Sequence, residues 1–107
     1  MISRIWKAIA TASGARQYAE HFHAHVLQDL RAVQGYQGAL LLQRPQGNRV
    51  EVVVISFWKS EEAIRAFSGP HIDRAVVAEE ARGVLESYDE IVSHFEVIAD
   101  DRIRPRA

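Results

Sequence analysis

Residues 50–58 read VEVVVISFW, and apolar side chains fall on both sides of that run. Successive side chains of an extended chain point to opposite faces. Val50, Val52, Val54 and Trp58 therefore share one face, while Val53, Ile55 and Phe57 share the other. The neighbouring run YQGALLLQR (36–44) breaks alternation in the same way at ALLL. A strand that is apolar on both faces belongs in a sheet covered on both faces. Any fold for this chain has to supply two covers.

The chain itself supplies one. ISRIWKAI (2–9) sets Ile2, Arg4, Trp6 and Ala8 against Ser3, Ile5, Lys7 and Ile9, which suits a strand. TASG breaks that pattern, and Ser13 is the expected N-cap of a helix. From Ala15 apolar residues recur at 15, 18, 19, 22, 26, 30 and 33, a single helical stripe that Gly35 can end. PQGN between the two extended runs is turn chemistry and makes them a β-hairpin. KSEEAIRAFSGP then carries helix punctuation. Ser60 is the N-cap, Glu61 and Glu62 complement the dipole, and Gly69-Pro70 stops the helix. HIDRAVVAEEARGVLESY predicts one or two further helical segments, with Ile72, Ala75, Val76 and Val84 inward. IVSHFEVI (91–98) closes as a strand.

The order is β-α-β-β-α-β, the split βαβ of the ferredoxin-like α+β class, with a four-stranded antiparallel sheet. Residues 1–99 form one domain and 100–107 a tail. Both helices lie on one side of such a sheet. A second copy of the chain is expected to cover the other, at roughly 25 cal/mol for each Å² of apolar surface removed from water.

Composition excludes several function classes. A net charge of -1 gives no reason to expect nucleic acid or an anionic membrane as partner. No apolar run approaches the roughly 18 residues of a membrane span. MISRIWKAIA lacks the uninterrupted core of a signal peptide, and the expected compartment is cytoplasmic. The absence of cysteine removes disulfides, thiolate chemistry and cysteine-ligated metal. Glu61-Glu62 serve the helix dipole, and Glu79-Glu80 and Asp89-Glu90 read as solvated faces, so no carboxylate pair suggests a glycosidase or two-metal site. There is no nucleophile elbow and no phosphate-cradling glycine loop.

ISFWKSEEAIRAFSGP, the opening ISRIWKA, the turn QGYQGALLL and the closing HFEVI carry a family likeness. Together they resemble the antibiotic biosynthesis monooxygenase superfamily of dimeric α+β barrels. The resemblance spans about residues 2 to 98. It implies a homodimer joined through its sheets, with a cavity in each subunit between sheet and helices. Its members include cofactor-independent oxygenases of anthrones and quinols, haem-degrading enzymes, and small proteins without assigned role. The haem-degrading branch uses an asparagine on the first strand, a tryptophan ending the third and a histidine on the later helix. Trp58 matches the tryptophan. The asparagine's position falls near Trp6 or Lys7 and the histidine's near Val77 or Ala78, so haem degradation by that route is not expected.

The remaining expectation is oxidation of a small aromatic or quinol-type molecule by O2 with no cofactor. Its alternative is a non-catalytic ligand-binding or structural dimer of the same fold. Such an oxidation needs a dry pocket, a proton acceptor, and donors that hold an oxyanion. Trp58, Trp6 and Arg4 are the candidates for lining that pocket, through indole or guanidinium N–H groups. His94 and His71 are the candidate proton acceptors. HFHAH (21–25) holds three of the five histidines. On the helical stripe His21 points outward while His23 and His25 sit at opposite edges, so the three diverge and no metal is expected. Either His23 or His25 is left able to look into a cavity between helix and sheet, and His25 is taken as the binding residue.

Overall fold

The structure is a computed structural model describing residues 1–102, so 103–107 of the expected tail lie outside the described residues. At the centre of the sheet is β1 (Ile2–Ala10). It pairs antiparallel with β3 (Arg49–Trp58) along its whole length, from Ile2 opposite Trp58 to Ala10 opposite Val50. β2 (Tyr36–Gln46) forms the expected hairpin with β3. That hairpin is longer than the sequence suggests, because Pro45 stays in register opposite Val50. β2 is an edge strand, where a proline's missing N–H can face solvent.

The other edge departs from expectation. A single strand over 91–98 is replaced by β4 (Ser87–Tyr88) and β5 (Ser93–Glu96), both paired with β1. Tyr88 lies opposite Ala8 and Ser93 opposite Ile5, so residues 89–92 face only two residues of β1. Apart from the Asp89 N–H, which still donates to Lys7 O of β1 at 2.9 Å, their backbone groups find partners outside the ladder. The Asp89 carbonyl accepts from Trp6 Nε1 at 3.0 Å, Glu90 O accepts from the Ala75 N–H at 2.8 Å, and the Val92 N–H donates to Asp73 O at 2.7 Å.

The helices bring two further corrections. α1 (Ala12–His21) is capped by Thr11, whose hydroxyl accepts from the Gly14 N–H at 3.0 Å, and Ser13 lies inside the first turn. Thr11 wins because β1 ends at Ala10, leaving Thr11 as the extended residue before the helix. The expected continuous α stripe is broken at Phe22–Val26 by a π-turn, in which the Leu27 N–H reaches back five residues to Phe22 O. α2 (Leu27–Arg31) continues beyond it. Such a turn holds one extra residue and rotates everything after it.

α3 (Glu61–Ser68) follows the sequence reading. Ser60 Oγ accepts from the Ala63 N–H at 3.2 Å, and Gly69 ends the helix with φ 85°. After it, among the described residues, only α4 (Glu79–Arg82) is helical. Residues 70–78, expected to be helical in part, cross the sheet edge as an irregular strap joined by a bridge between Arg74 and Ile91.

The helices cover the face that carries Arg4, Trp6, Ala8, Ala10, Val52 and Trp58, all buried. The opposite face carries Ile5, Ile9, Val53, Ile55 and Phe57, and it leaves Leu40, Leu42 and Phe95 at 41%, 44% and 58% exposure. The two-sided apolar pattern of β3 is therefore real, and this chain covers one side of it.

Candidate functional site

Arg4 is the polar centre of the covered face, and it is buried. Its Nη1 donates to Ile72 O and its Nη2 to Arg74 O at 2.6 Å, so the guanidinium pins the strap to the sheet. Nη1 also stands 3.0 Å from His94 Nε2. A guanidinium only donates, so His94 Nε2 holds the lone pair and the ring proton sits on Nδ1. No carboxylate lies within salt-bridge distance of Arg4 among the described residues. Burial draws the Arg4 guanidinium down from its ordinary value to about 10, against an opposing pull from Asp73. Burial first, and the Arg4 charge second, hold His94 below its ordinary value, outweighing Asp73 and Glu61.

Next to Arg4 lies a cavity of about 50 Å³, walled by Trp6, Tyr18, Leu30, Val54, Ser56 and Val92 among others. A second chamber of about 270 Å³ opens beyond it, lined by His21, His25, Asp29 and Glu80. Val26, Phe67 and Val76 line both, so these three side chains form the partition. The exposed Val76 comes from the strap.

Tyr18 is the residue that sequence reasoning missed. It sits inside the helical stripe as one more apolar position, and nothing in the spacing separates it from Phe22. In the structure it is buried against Trp6, ring centroids 5.5 Å apart, and lines the inner cavity. Its hydroxyl makes no hydrogen bond to any described residue. Burial pushes its ionisation far above the ordinary tyrosine range, so it stays a donor. Ser56 is the second omission. Its Oγ accepts from Trp58 Nε1 at 2.8 Å and keeps its own proton to donate.

The structure brings some of the expected residues together and separates others. Arg4 and Trp6 both line the inner cavity, His94 bonds to Arg4 without lining it, and Trp6 presents its ring because its N–H is committed to Asp89. Trp58 is fully buried and reaches the cavity only through Ser56 and through Phe67, on which it stacks at 5.5 Å. His25 lines the outer chamber. His71 is exposed at the start of the strap and lines neither space.

His21, expected to point outward, lies against Tyr18 and His25 at centroid distances of 6.0 and 5.4 Å. Judged by α1's own buried residues, before the π-turn rotates the stripe, it falls on the flank. Its Nε2 is buried without a partner among the described residues, a state that costs roughly 1–3 kcal/mol. No group of three histidines or carboxylates among the described residues is placed to hold a metal ion.

A β-α-β-β-α-β chain with an arginine, a tyrosine and a tryptophan around a cavity under its helices defines a ferredoxin-like α+β domain with a buried polar site. The chain belongs to the antibiotic biosynthesis monooxygenase family, whose sequence profile matches residues 5–78. It is similar to the heme-degrader MhuD of Mycobacterium tuberculosis, whose structure has two hemes bound in its active site. Identity is 28%, over 94% of this chain and 98% of that one, with a TM-score of 0.59. A monooxygenase from Streptomyces coelicolor in complex with nanaomycin D shares the fold at 16% identity, over 98% and 92% of the two chains, with a TM-score of 0.60. No curated protein matches the chain.

Proposed function

We propose that the two chambers bind a small aromatic or quinol-type molecule and oxidise it with O2, without metal or flavin. One observation carries this reading: a buried guanidinium with no carboxylate partner among the described residues stands beside a mostly apolar cavity, next to a tyrosine hydroxyl free to donate. That is an arrangement for an oxyanion. Arg4, Tyr18 and Ser56 supply the donors, the Trp6 ring supplies the aromatic wall, and His94 Nε2 accepts the hydroxyl proton.

The resulting anion is electron-rich enough to reduce O2 itself. For an anthrone, the methylene loses two hydrogens and gains one oxygen, and the second oxygen leaves as water. The substrate provides the electrons, so no separate reductant is required. The chambers together reach the lower end of the range of about 300–1,000 Å³ typical of small-molecule sites.

A haem fits these residues poorly. No imidazole lines the inner cavity among the described residues, the outer chamber is too small for a porphyrin, and the positions matched to the haem-degrading asparagine and histidine hold other residues. A second copy of the chain is the proposed cover for the face bearing Leu40, Leu42 and Phe95.

O2 uptake by metal-stripped protein, with a panel of anthrones and hydroquinones, tests the oxidation. Wild type is expected to consume O2, and Arg4→Met to lose most of that activity. No uptake above buffer across the panel removes the oxidase reading and leaves the ligand-binding dimer in its place.

A further inference from the structure

We infer that Arg4 is a specificity-determining latch: it holds the strap over the inner cavity until an anionic oxygen takes its N–H donors. The site therefore opens for a ligand whose hydroxyl can ionise there and stays shut to an analogue that has no such proton. This rests on the proposed binding of an aromatic oxyanion and adds the step by which the ligand is selected.

Three observations lead here. The inner cavity, at about 50 Å³, is too small for an aromatic ring, so the partition of Val26, Phe67 and Val76 must move for a ligand to reach Arg4. Val76 belongs to the strap. The strap carries no helix, and a few bonds hold it: Arg4 to the carbonyls of Ile72 and Arg74, and two backbone bonds, Ala75 to Glu90 and Asp73 to Val92. Finally, the acceptors that occupy Arg4 are two neutral carbonyls and a neutral imidazole. A charged oxygen is a stronger acceptor than any of them.

A phenolate, or a phenol or enol that passes its proton to His94 Nε2 as it enters from the outer chamber, therefore displaces the strap carbonyls, and Val76 moves away with the strap. The same exchange uncovers His94 Nε2, so the lone pair that Arg4 occupied becomes available. A neutral ether of the same shape gains nothing at Arg4 and leaves the strap in place. Selection is then built into opening rather than into the fit of the ring.

The test uses para-nitrophenol and its methyl ether, para-nitroanisole, in a mildly alkaline buffer where the free phenol is ionised. Binding is read from tryptophan fluorescence. Strap opening is read from hydrogen exchange at the Ala75 and Val92 amides and from trypsin cleavage after the exposed Arg74. The phenolate is expected to speed exchange and cleavage by at least about fivefold, within the usual range for coupled equilibria, and the ether to change neither.

Arg4→Met should show the fast rates without ligand. Should that variant fail to fold, Arg4→Lys keeps the charge but cannot span both carbonyls, and should also loosen the strap. Equal effects of the two probes, or strap exchange in either soluble variant as slow as in wild type, overturn the latch while leaving the binding reading intact. Failure of the phenolate to bind wild type removes the binding reading and the latch with it.

Discussion

Trp58 and Trp6 both leave the sheet toward the helices, yet they stand in different kinds of structure. Trp58 is fully buried, stacked on Phe67 and edge-on to Tyr36 at 5.6 Å, with Leu30, Ala63 and Ile64 around it. At that end α3 is capped by Ser60 and closed by Gly69, and β2 leaves register only at a bulge between Tyr36 and Gly38. Trp6 leans on Tyr18 and Tyr88, bonds to a carbonyl in a broken strand, and borders a hollow. Regular elements satisfy their own backbone groups, whereas an irregular segment has to find partners among side chains. That need places the guanidinium of Arg4 and the indole of Trp6 inside the protein. The chemistry collects where the regular structure stops.

Truncating each tryptophan tests the contrast most severely. Trp58→Ala should cost about 3–5 kcal/mol in urea denaturation, because it empties a closed site and strands Ser56 Oγ without its donor. Trp6→Ala should cost less, since the adjoining strap is free to settle into the gap. A greater loss at Trp6 would mean that the hollow end is the better packed of the two.

The same contrast governs how much the sequence tells. The end built by Ser60, Gly69 and the hairpin was legible, because caps, turns and alternation are local signals. The two-sided apolar pattern of β3 was legible for the same reason. Residues 70–92 were not. Their composition suits a helix, but Arg4, 68 residues away from Ile72, claims the carbonyls of Ile72 and Arg74, while Glu90 claims the Ala75 amide and Val92 the Asp73 carbonyl. The π-turn is equally silent in the sequence, so His21 was assigned to the wrong side of the helix. Within the candidate site, Arg4, Trp6 and His94 could be named from strand position and residue type. Tyr18 and Ser56 look like ordinary core and strand residues until the cavity is seen.

Tyr18→Phe separates binding from stability at the hollow end. The hydroxyl bonds to no described residue, so its removal should change stability by less than about 0.5 kcal/mol. Affinity for para-nitrophenolate should nevertheless fall roughly ten- to a hundredfold, the value of a hydrogen bond to a charged oxygen. Unchanged affinity, measured by the same fluorescence titration, would place the oxyanion away from Tyr18.

The smallest effect concerns His94. In the native chain its Nε2 takes a hydrogen bond from Arg4 at 3.0 Å, and a proton there would set a second positive charge against the guanidinium. The unfolded chain therefore binds that proton more readily than the native one. Stability contributed by neutral His94 is complete above its ordinary value of 6.5 and is lost as the pH falls below it. His94→Gln keeps an acceptor for Arg4 but does not titrate. The stability of wild type relative to His94→Gln should thus decline as the pH is lowered from about 7.5 to about 5.5, modestly because the ring is only half-buried and partly screened. A rise over that interval would show a charged His94 in the native state. The hydrogen bond could then not run from Arg4 to His94, and the lone pair assigned to the proton acceptor would not exist.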